Sequence, residues 1–152
     1  MIAEQEADRT MAVLKIIWMA MLGSLAVYGI VGRLVAPNLT STLGAETVRM
    51  LRIALYALGF VTVNAAVYMR RLILGAKGSS AGPVQAGPSP LPQKYSSAVI
   101  VSLAMSESVG IYGLVLFLLG KNARDLYLLL GISGAALFYF RPRKEELLQH
   151  CR

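Results

Sequence analysis

Apolar residues in this chain fall in four long runs that are separated by short polar segments. The runs cover residues 11–35, 53–69, 98–120 and 126–140. At about 1.5 Å of rise per residue, roughly 20 apolar residues cross a bilayer hydrocarbon core of about 30 Å, and core helices of soluble proteins rarely carry such runs. The pattern predicts an all-α polytopic membrane protein with four transmembrane helices.

The polar segments divide the chain into tails, hairpins and a linker. We expect a cytoplasmic N-terminal tail at 1–10, a first transmembrane hairpin at 11–72, a disordered linker at 73–95, a second transmembrane hairpin at 96–141 and a basic cytoplasmic tail at 142–152. The linker prediction rests on composition, because Gly, Pro and Ser dominate that segment and give it too little apolar surface to offset its ordering entropy.

Basic residues are divided unevenly between the two membrane sides that four spans create. The side of the termini and linker holds ten of them: Arg9, Lys15, Arg70, Arg71, Lys77, Lys94, Arg141, Arg143, Lys144 and Arg152. The other side holds five: Arg33, Arg49, Arg52, Lys121 and Arg124. By the positive-inside rule, both termini and the linker should face the cytoplasm, as in a protein of the bacterial inner membrane.

The acidic residues Glu4, Glu6 and Asp8 precede the first apolar run. A secretory signal peptide carries basic residues at that place and has a shorter apolar region. We therefore expect the first run to remain as a membrane span, and a cleaved signal is the less favoured alternative.

Composition narrows the classes of function. Hydrophobic residues make up 56% of the chain and charged residues 15%, and the mean hydropathy is +0.59. The net charge of +7 is accounted for by cytoplasmic segments and anionic lipids, so nucleic acid is not expected as a partner. His150 and Cys151 stand alone as the one His and the one Cys, and they offer no disulfide or metal-ligand set. We expect no enzyme and no cofactor; membrane lipids, further copies of the chain or a membrane complex are the expected partners.

The two predicted hairpins resemble each other in sequence. An offset of 84 residues aligns the first span with the third and places Val27–Val31 over Ile111–Val115, Ser24 over Ser108 and Gly23 over Glu107. An offset of 72 residues aligns the second span with the fourth. The alignment indicates a parallel repeat in which one copy lacks the acid. Chance similarity is the alternative, because membrane helices are built from few residue types.

Glu107 is the strongest chemical signal in the sequence. A carboxylate near the bilayer centre costs several kcal/mol unless it is protonated, paired or hydrated, and intramembrane acids are usually functional. We expect Glu107 to rest as a neutral acid and to bind a proton or a monovalent cation. The alternative is a structural or accessory subunit in which Glu107 only stabilises helix packing against a partner.

Small and hydroxyl-bearing residues form a stripe on the same predicted helix. They are Ser102, Ser106, Gly110 and Gly113, and we expect them to allow close approach of another helix. In the second span, Thr62 and Asn64 are the polar residues that could contact a partner helix.

The segment Ala104–Val115 reads AMSESVGIYGLV. Together with its neighbours, over about residues 98–116, it resembles the ion-carrying helix of rotor-ring proteolipids, the c subunits of rotary ATP synthases and vacuolar-type ATPases. The resemblance implies that Glu107 is the protonatable or cation-binding carboxylate, that Ser108 is a hydroxyl ligand beside it and that Tyr112 orients it. The implied ligand is a proton or Na⁺. Tyr112 lies about 140° around the helix from Glu107, so their contact would need an adjacent helix or subunit.

Overall fold

The computed structural model describes residues 2–38, 44–75 and 90–142. Helix α1 covers Ile2–Val35 and continues into a short 3-10 helix at Ala36–Asn38. Helices α2, α3 and α4 cover Ala45–Gly75, Pro90–Gly120 and Ala123–Tyr139. No strand occurs in these ranges, so the prediction of an all-α chain is confirmed for them.

Three of the helices are long and apolar enough to cross a membrane. These segments are Asp8–Val35, Ala45–Gly75 and Tyr95–Gly120. Their outer surfaces are apolar: Ile16, Leu34 and Phe60 are 69%, 70% and 73% exposed, as expected of side chains that meet lipid. With 17 residues, α4 rises only about 25 Å and is shorter than the hydrocarbon core.

The helices extend beyond the apolar runs that predicted them. The expected tail at 1–10 is helical from Ile2, so α1 has no separate tail before it in the described residues. Both edges of the expected linker are also helical, because α2 continues to Gly75 and α3 starts at Pro90. Proline is accepted in a first helical turn, where its missing N–H has no intrahelical acceptor. Residues 76–89 of the linker and 143–152 of the basic tail lie outside the described residues.

Helix α3 is the centre of the bundle and contacts α1, α2 and α4. Met11 and Leu14 of α1, Tyr95 of α3 and Phe140 after α4 share one buried cluster. At the other end, Gly32 of α1 lies against Leu126 at the start of α4 and Phe117 near the end of α3. Helix α1 therefore runs parallel to α3 and antiparallel to α4. We call the end with Met11 the terminal end and the end with Gly32 the loop end.

A two-residue turn joins α3 to α4. Lys121 adopts the left-handed conformation with φ of 55°, and its N–H donates to the carbonyl of Phe117 at 2.8 Å. Asn122 then caps α4, because its side-chain oxygen accepts from the N–H of Arg124 at 3.1 Å. The turn is tight enough to return α4 directly along α3.

Candidate functional site

Glu107 lies at the middle of the apolar part of α3, which covers Tyr95–Gly120. Its side chain is half-buried and faces α1. The Oε1 atom accepts hydrogen bonds from the hydroxyl of Ser24 at 2.5 Å and from the hydroxyl of Tyr28 at 3.1 Å. Ser24 and Tyr28 are four residues apart and therefore share one face of α1. The central carboxyl thus has two hydroxyl partners on a neighbouring helix.

The oxygen of Ser24 has two short contacts and one proton. Besides Glu107, it lies 2.7 Å from the carbonyl oxygen of Met21. A serine hydroxyl can donate to only one acceptor. The carboxyl of Glu107 and the carbonyl of Met21 therefore compete for the single hydroxyl proton of Ser24, and Ser24 links the two acceptors.

The residues predicted to assist Glu107 from its own helix are turned to other partners. The hydroxyl of Ser108 donates to the carbonyl of Ala104 at 3.0 Å, within α3. Tyr112 packs beside the buried cluster of Val109, Leu116 and Leu129. The structure brings Glu107 together with hydroxyls of the predicted types, but from α1.

The two α1 hydroxyls lie 84 positions before the predicted pair, which is the offset at which the first and third spans align in sequence. The offset of 84 residues sets Ser24 over Ser108 and Tyr28 over Tyr112. Sequence reasoning missed Ser24 and Tyr28 as partners of Glu107, although the alignment at that offset was an available signal. Ser24 and Tyr28 reach Glu107 because α1 and α3 run parallel and side by side.

Small residues border the carboxyl on the outer surface of the bundle. Gly23 and Ala104 are exposed, and a Cβ atom added at Gly23 would meet nothing within 4 Å. In a bilayer this surface faces acyl chains. Gly23, next to Ser24, and Ala104, one turn before Glu107, thus present no large side chain on this surface.

The stripe of small residues on α3 is buried and meets α4. Ser102 and Ser106 have no exposed surface, and their hydroxyls donate within α3 to the carbonyls of Ala98 and Ser102, each at 2.8 Å. From α4, Ser133 donates to the carbonyl of Ser106 at 2.6 Å.

The two glycines of the stripe allow the helices to come close together. A Cβ added at Gly110 would lie 3.3 Å from the Ser133 oxygen and 2.5 Å from a methyl of Leu25. A Cβ added at Gly113 would lie 2.8 Å from the Cβ of Leu129. Gly113 therefore excludes a larger side chain at the present helix separation, whereas at Gly110 the Leu25 methyl can move and the close neighbour is the Ser133 hydroxyl.

Thr62 and Asn64 make hydrogen bonds within α2. The hydroxyl of Thr62 donates to the carbonyl of Leu58 and the amide of Asn64 donates to the carbonyl of Phe60, each at 2.8 Å. Asn64 is exposed on the outer surface of the bundle. Neither residue joins Glu107 in the described part of the chain.

A second polar cluster lies at the loop end and was not predicted as a site. Asp125 is only 6% exposed, and its Oδ2 lies 2.8 Å from both Nε and Nη2 of Arg52. Its Oδ1 accepts from the hydroxyl of Tyr56 at 3.2 Å. The cluster ties α2 to the first turn of α4, where a negative charge also meets the positive end of the helix dipole. An acid at the start of an apolar run was the available sequence signal.

No family model, curated protein or solved structure matches the chain. In the part of the chain that the structure describes, no three His, Cys, Asp or Glu side chains form a group that could hold a metal ion. The resemblance to the proteolipid helix remains a prediction from about residues 98–116.

Proposed function

We propose that this chain is a small four-helix integral membrane protein in which Glu107 binds a proton or a monovalent cation within the bilayer. One observation carries the proposal: a carboxyl at the middle of α3 has two α1 hydroxyls as hydrogen-bond partners. Intramembrane acids that face other helices usually belong to ion or proton sites. The resemblance to proteolipid helices points the same way.

The oxygen atoms around Glu107 suit a proton or Na⁺. When the carboxyl is ionised, the hydroxyls of Ser24 and Tyr28 and the carbonyl of Met21 offer further oxygens close to it. Hard monovalent cations prefer such carboxylate, hydroxyl and carbonyl oxygens. If Glu107 loses its proton and a monovalent cation binds beside the carboxylate, one positive charge replaces another at the same site.

In the proposed topology, α4 is a short fourth span and both termini face the cytoplasm. Helix α4 packs along α3 and α1, and a short span is accommodated by local thinning of the bilayer. The tightly joined α3 and α4 form the second of two parallel-repeat hairpins. A cysteine introduced as Ser80→Cys should resist a membrane-impermeant reagent added outside, and Gly44→Cys in the 38–45 loop should react. The reverse labelling would overturn the orientation.

A hydrophobic carbodiimide tests the site directly, because this reagent modifies protonated carboxyls from the lipid phase. We expect mass spectrometry to find the adduct on Glu107, with slower labelling at high pH. Na⁺ should protect the residue if the site binds that ion. Absence of the adduct from Glu107 over the whole pH range would contradict a proton-binding role.

The repeat provides matched variants for the same experiment. Ser24→Ala and Tyr28→Phe each remove a hydroxyl that contacts Glu107, and Ser108→Ala and Tyr112→Phe remove the counterparts on α3. The reagent modifies the neutral carboxyl, and a hydrogen bond between neutral groups contributes about 0.5 to 1.5 kcal/mol, so each α1 variant should change the labelling rate by about two- to tenfold. The α3 variants should leave the rate nearly unchanged. Equal effects from both pairs would mean that the α1 hydroxyls do not set the state of Glu107.

A structural role for Glu107 is the second candidate. The bond from Ser24 to Glu107 joins α1 to α3, and helix packing alone would need such a bond. Under this alternative, Glu107→Gln folds with unchanged stability and Glu107 does not react with the carbodiimide. The combination of those two results would favour an accessory membrane subunit over an ion-binding protein.

A further inference from the structure

Helix α2 is the least covered of the three long helices. Within its most apolar window 11% of the residues are buried, against 44% for α3. Gly59 and Ala66 are its buried residues, and they face α3. On the opposite side, a row of exposed residues recurs at spacings of three and four: Met50, Ala54, Ala57, Val61, Asn64, Tyr68 and Arg71. We call this row the α2 outer stripe.

The α2 outer stripe has the spacing of a left-handed helix pair. A repeat of three and four residues keeps one line of side chains facing a second helix over many turns. Ala54 and Ala57 supply small side chains in the half nearer the loop end, where backbones could approach closely. Apolar residues need no partner helix when they face lipid. The spacing of the stripe alone therefore does not show that a partner helix binds there.

Asn64 distinguishes the stripe from an ordinary lipid-facing surface. One N–H of its amide donates to the carbonyl of Phe60. In the part of the chain that the structure describes, the other N–H and the Oδ1 atom have no hydrogen-bond partner. Gly59 lies against Val109 and Val48 lies against Gly120, so α2 runs antiparallel to α3 and Asn64 lies about one turn from Glu107 in depth, near the middle of α3. An amide that faces acyl chains at this depth is costly.

We propose that the α2 outer stripe is the contact between two copies of this chain, with the Asn64 amides paired across a two-fold axis. A second copy inserted in the same orientation carries its own Asn64 at the same depth. An amide has both a donor and an acceptor, so two of them can satisfy each other face to face. A different protein would have to present a polar group at that depth on an otherwise apolar helix. The inference is independent of the role proposed for Glu107.

Energy transfer between donor-labelled and acceptor-labelled copies in vesicles tests the proposal. The wild-type chain should show dimers whose fraction rises with the ratio of protein to lipid. Asn64→Leu should weaken dimerisation by about tenfold, since hydrogen bonds between membrane helices are worth about 1 to 2 kcal/mol in total. Asn64→Gln keeps an amide and should retain most of the association. Thr62→Val removes a polar group from another face of α2 and should change nothing.

Cysteine crosslinking locates the contact. In a Cys151→Ser background, Val61→Cys should form a disulfide-linked dimer in vesicles. Leu58 is also exposed, but it lies about 60° from Val61 and beside the stripe, so Leu58→Cys should form no disulfide crosslink although the chains still associate. A monomeric wild-type chain at every protein-to-lipid ratio would overturn the proposal. Dimers that are unaffected by Asn64→Leu, or that crosslink equally at both cysteines, would overturn it as well.

Discussion

Gly113 should be more sensitive to a single added methyl group than any exposed glycine of the bundle. In Gly113→Ala, the new Cβ would lie 2.8 Å from the Cβ of Leu129 and 3.3 Å from the backbone oxygen of Leu126. Neither neighbour can rotate away, because one atom is bonded to the α4 backbone and the other belongs to it. The methyl group can be accommodated only if α3 and α4 move apart.

The size of the effect follows from two opposing contributions. Alanine is favoured over glycine in a helix by about 1 kcal/mol, and forcing a methyl group into a packed contact costs about 1 to 3 kcal/mol. Gly131→Ala on α4 is the matched control, because a Cβ there would meet nothing within 4 Å. Both variants gain the same helix preference, so their difference isolates the steric cost. We expect Gly113→Ala to be less stable than Gly131→Ala by about 1 to 3 kcal/mol.

Reversible unfolding in mixed micelles measures this difference. Trp18 is the one tryptophan of the chain, and its ring N–H donates to the carbonyl of Leu137 on α4 at 2.9 Å. Its fluorescence therefore reports loss of the contact between α1 and α4. A Gly113→Ala protein that is as stable as Gly131→Ala would show that α3 and α4 are not packed as closely as described.

Three further variants probe the polar contacts and the turn. Arg52→Met should remove the charge partner of Asp125, and a double-mutant cycle with Asp125→Asn should give a coupling energy of about 1 to 3 kcal/mol. This is below the value for fully buried pairs, because Arg52 is 39% exposed. A coupling energy of zero would refute the ion pair. Trp18→Phe should cost about 1 kcal/mol by circular dichroism, because the carbonyl of Leu137 loses its donor; unchanged stability would argue against that bond. Lys121→Gly should raise stability by about 1 kcal/mol, because φ of 55° suits glycine better than lysine; a loss would mean that the lysine side chain stabilises the turn.

The apolar runs were sufficient to locate the helices but not their ends. Run length predicts where a helix can cross lipid, and the helices at Ala45 and Pro90 begin earlier because polar residues continue a helix once it has formed. A hydropathy pattern contains no information on that continuation. The same holds for Ile2–Thr10, which prolong α1 beyond the expected start of the span.

The sequence singled out Glu107 and the types of residue near it, but not the helix that supplies the hydroxyls. Glu107 stands out because a charge in an apolar run is costly, and that argument is local. Whether Ser24 or Ser108 approaches it depends on which helix lies beside α3 and at which rotation, and this is decided by packing over the whole bundle. The pairing of Arg52 with Asp125 was hidden for the same reason, because 73 positions separate the two residues.

The bond between Ser24 and Glu107 also bears on how the protein is made. Its two residues are 83 positions apart, so a ribosome at about 5 to 20 residues per second delivers Glu107 roughly 4 to 17 s after Ser24. In the proposed topology, α1 is already in the bilayer when the acid of α3 leaves the translocation channel. The hydroxyls of Ser24 and Tyr28 on α1 are then in place to form hydrogen bonds with the carboxyl, which lowers the free-energy cost of inserting it into the bilayer. The order of translation therefore sets the order of assembly: α1 enters the bilayer first and provides the partners that α3 needs when it inserts.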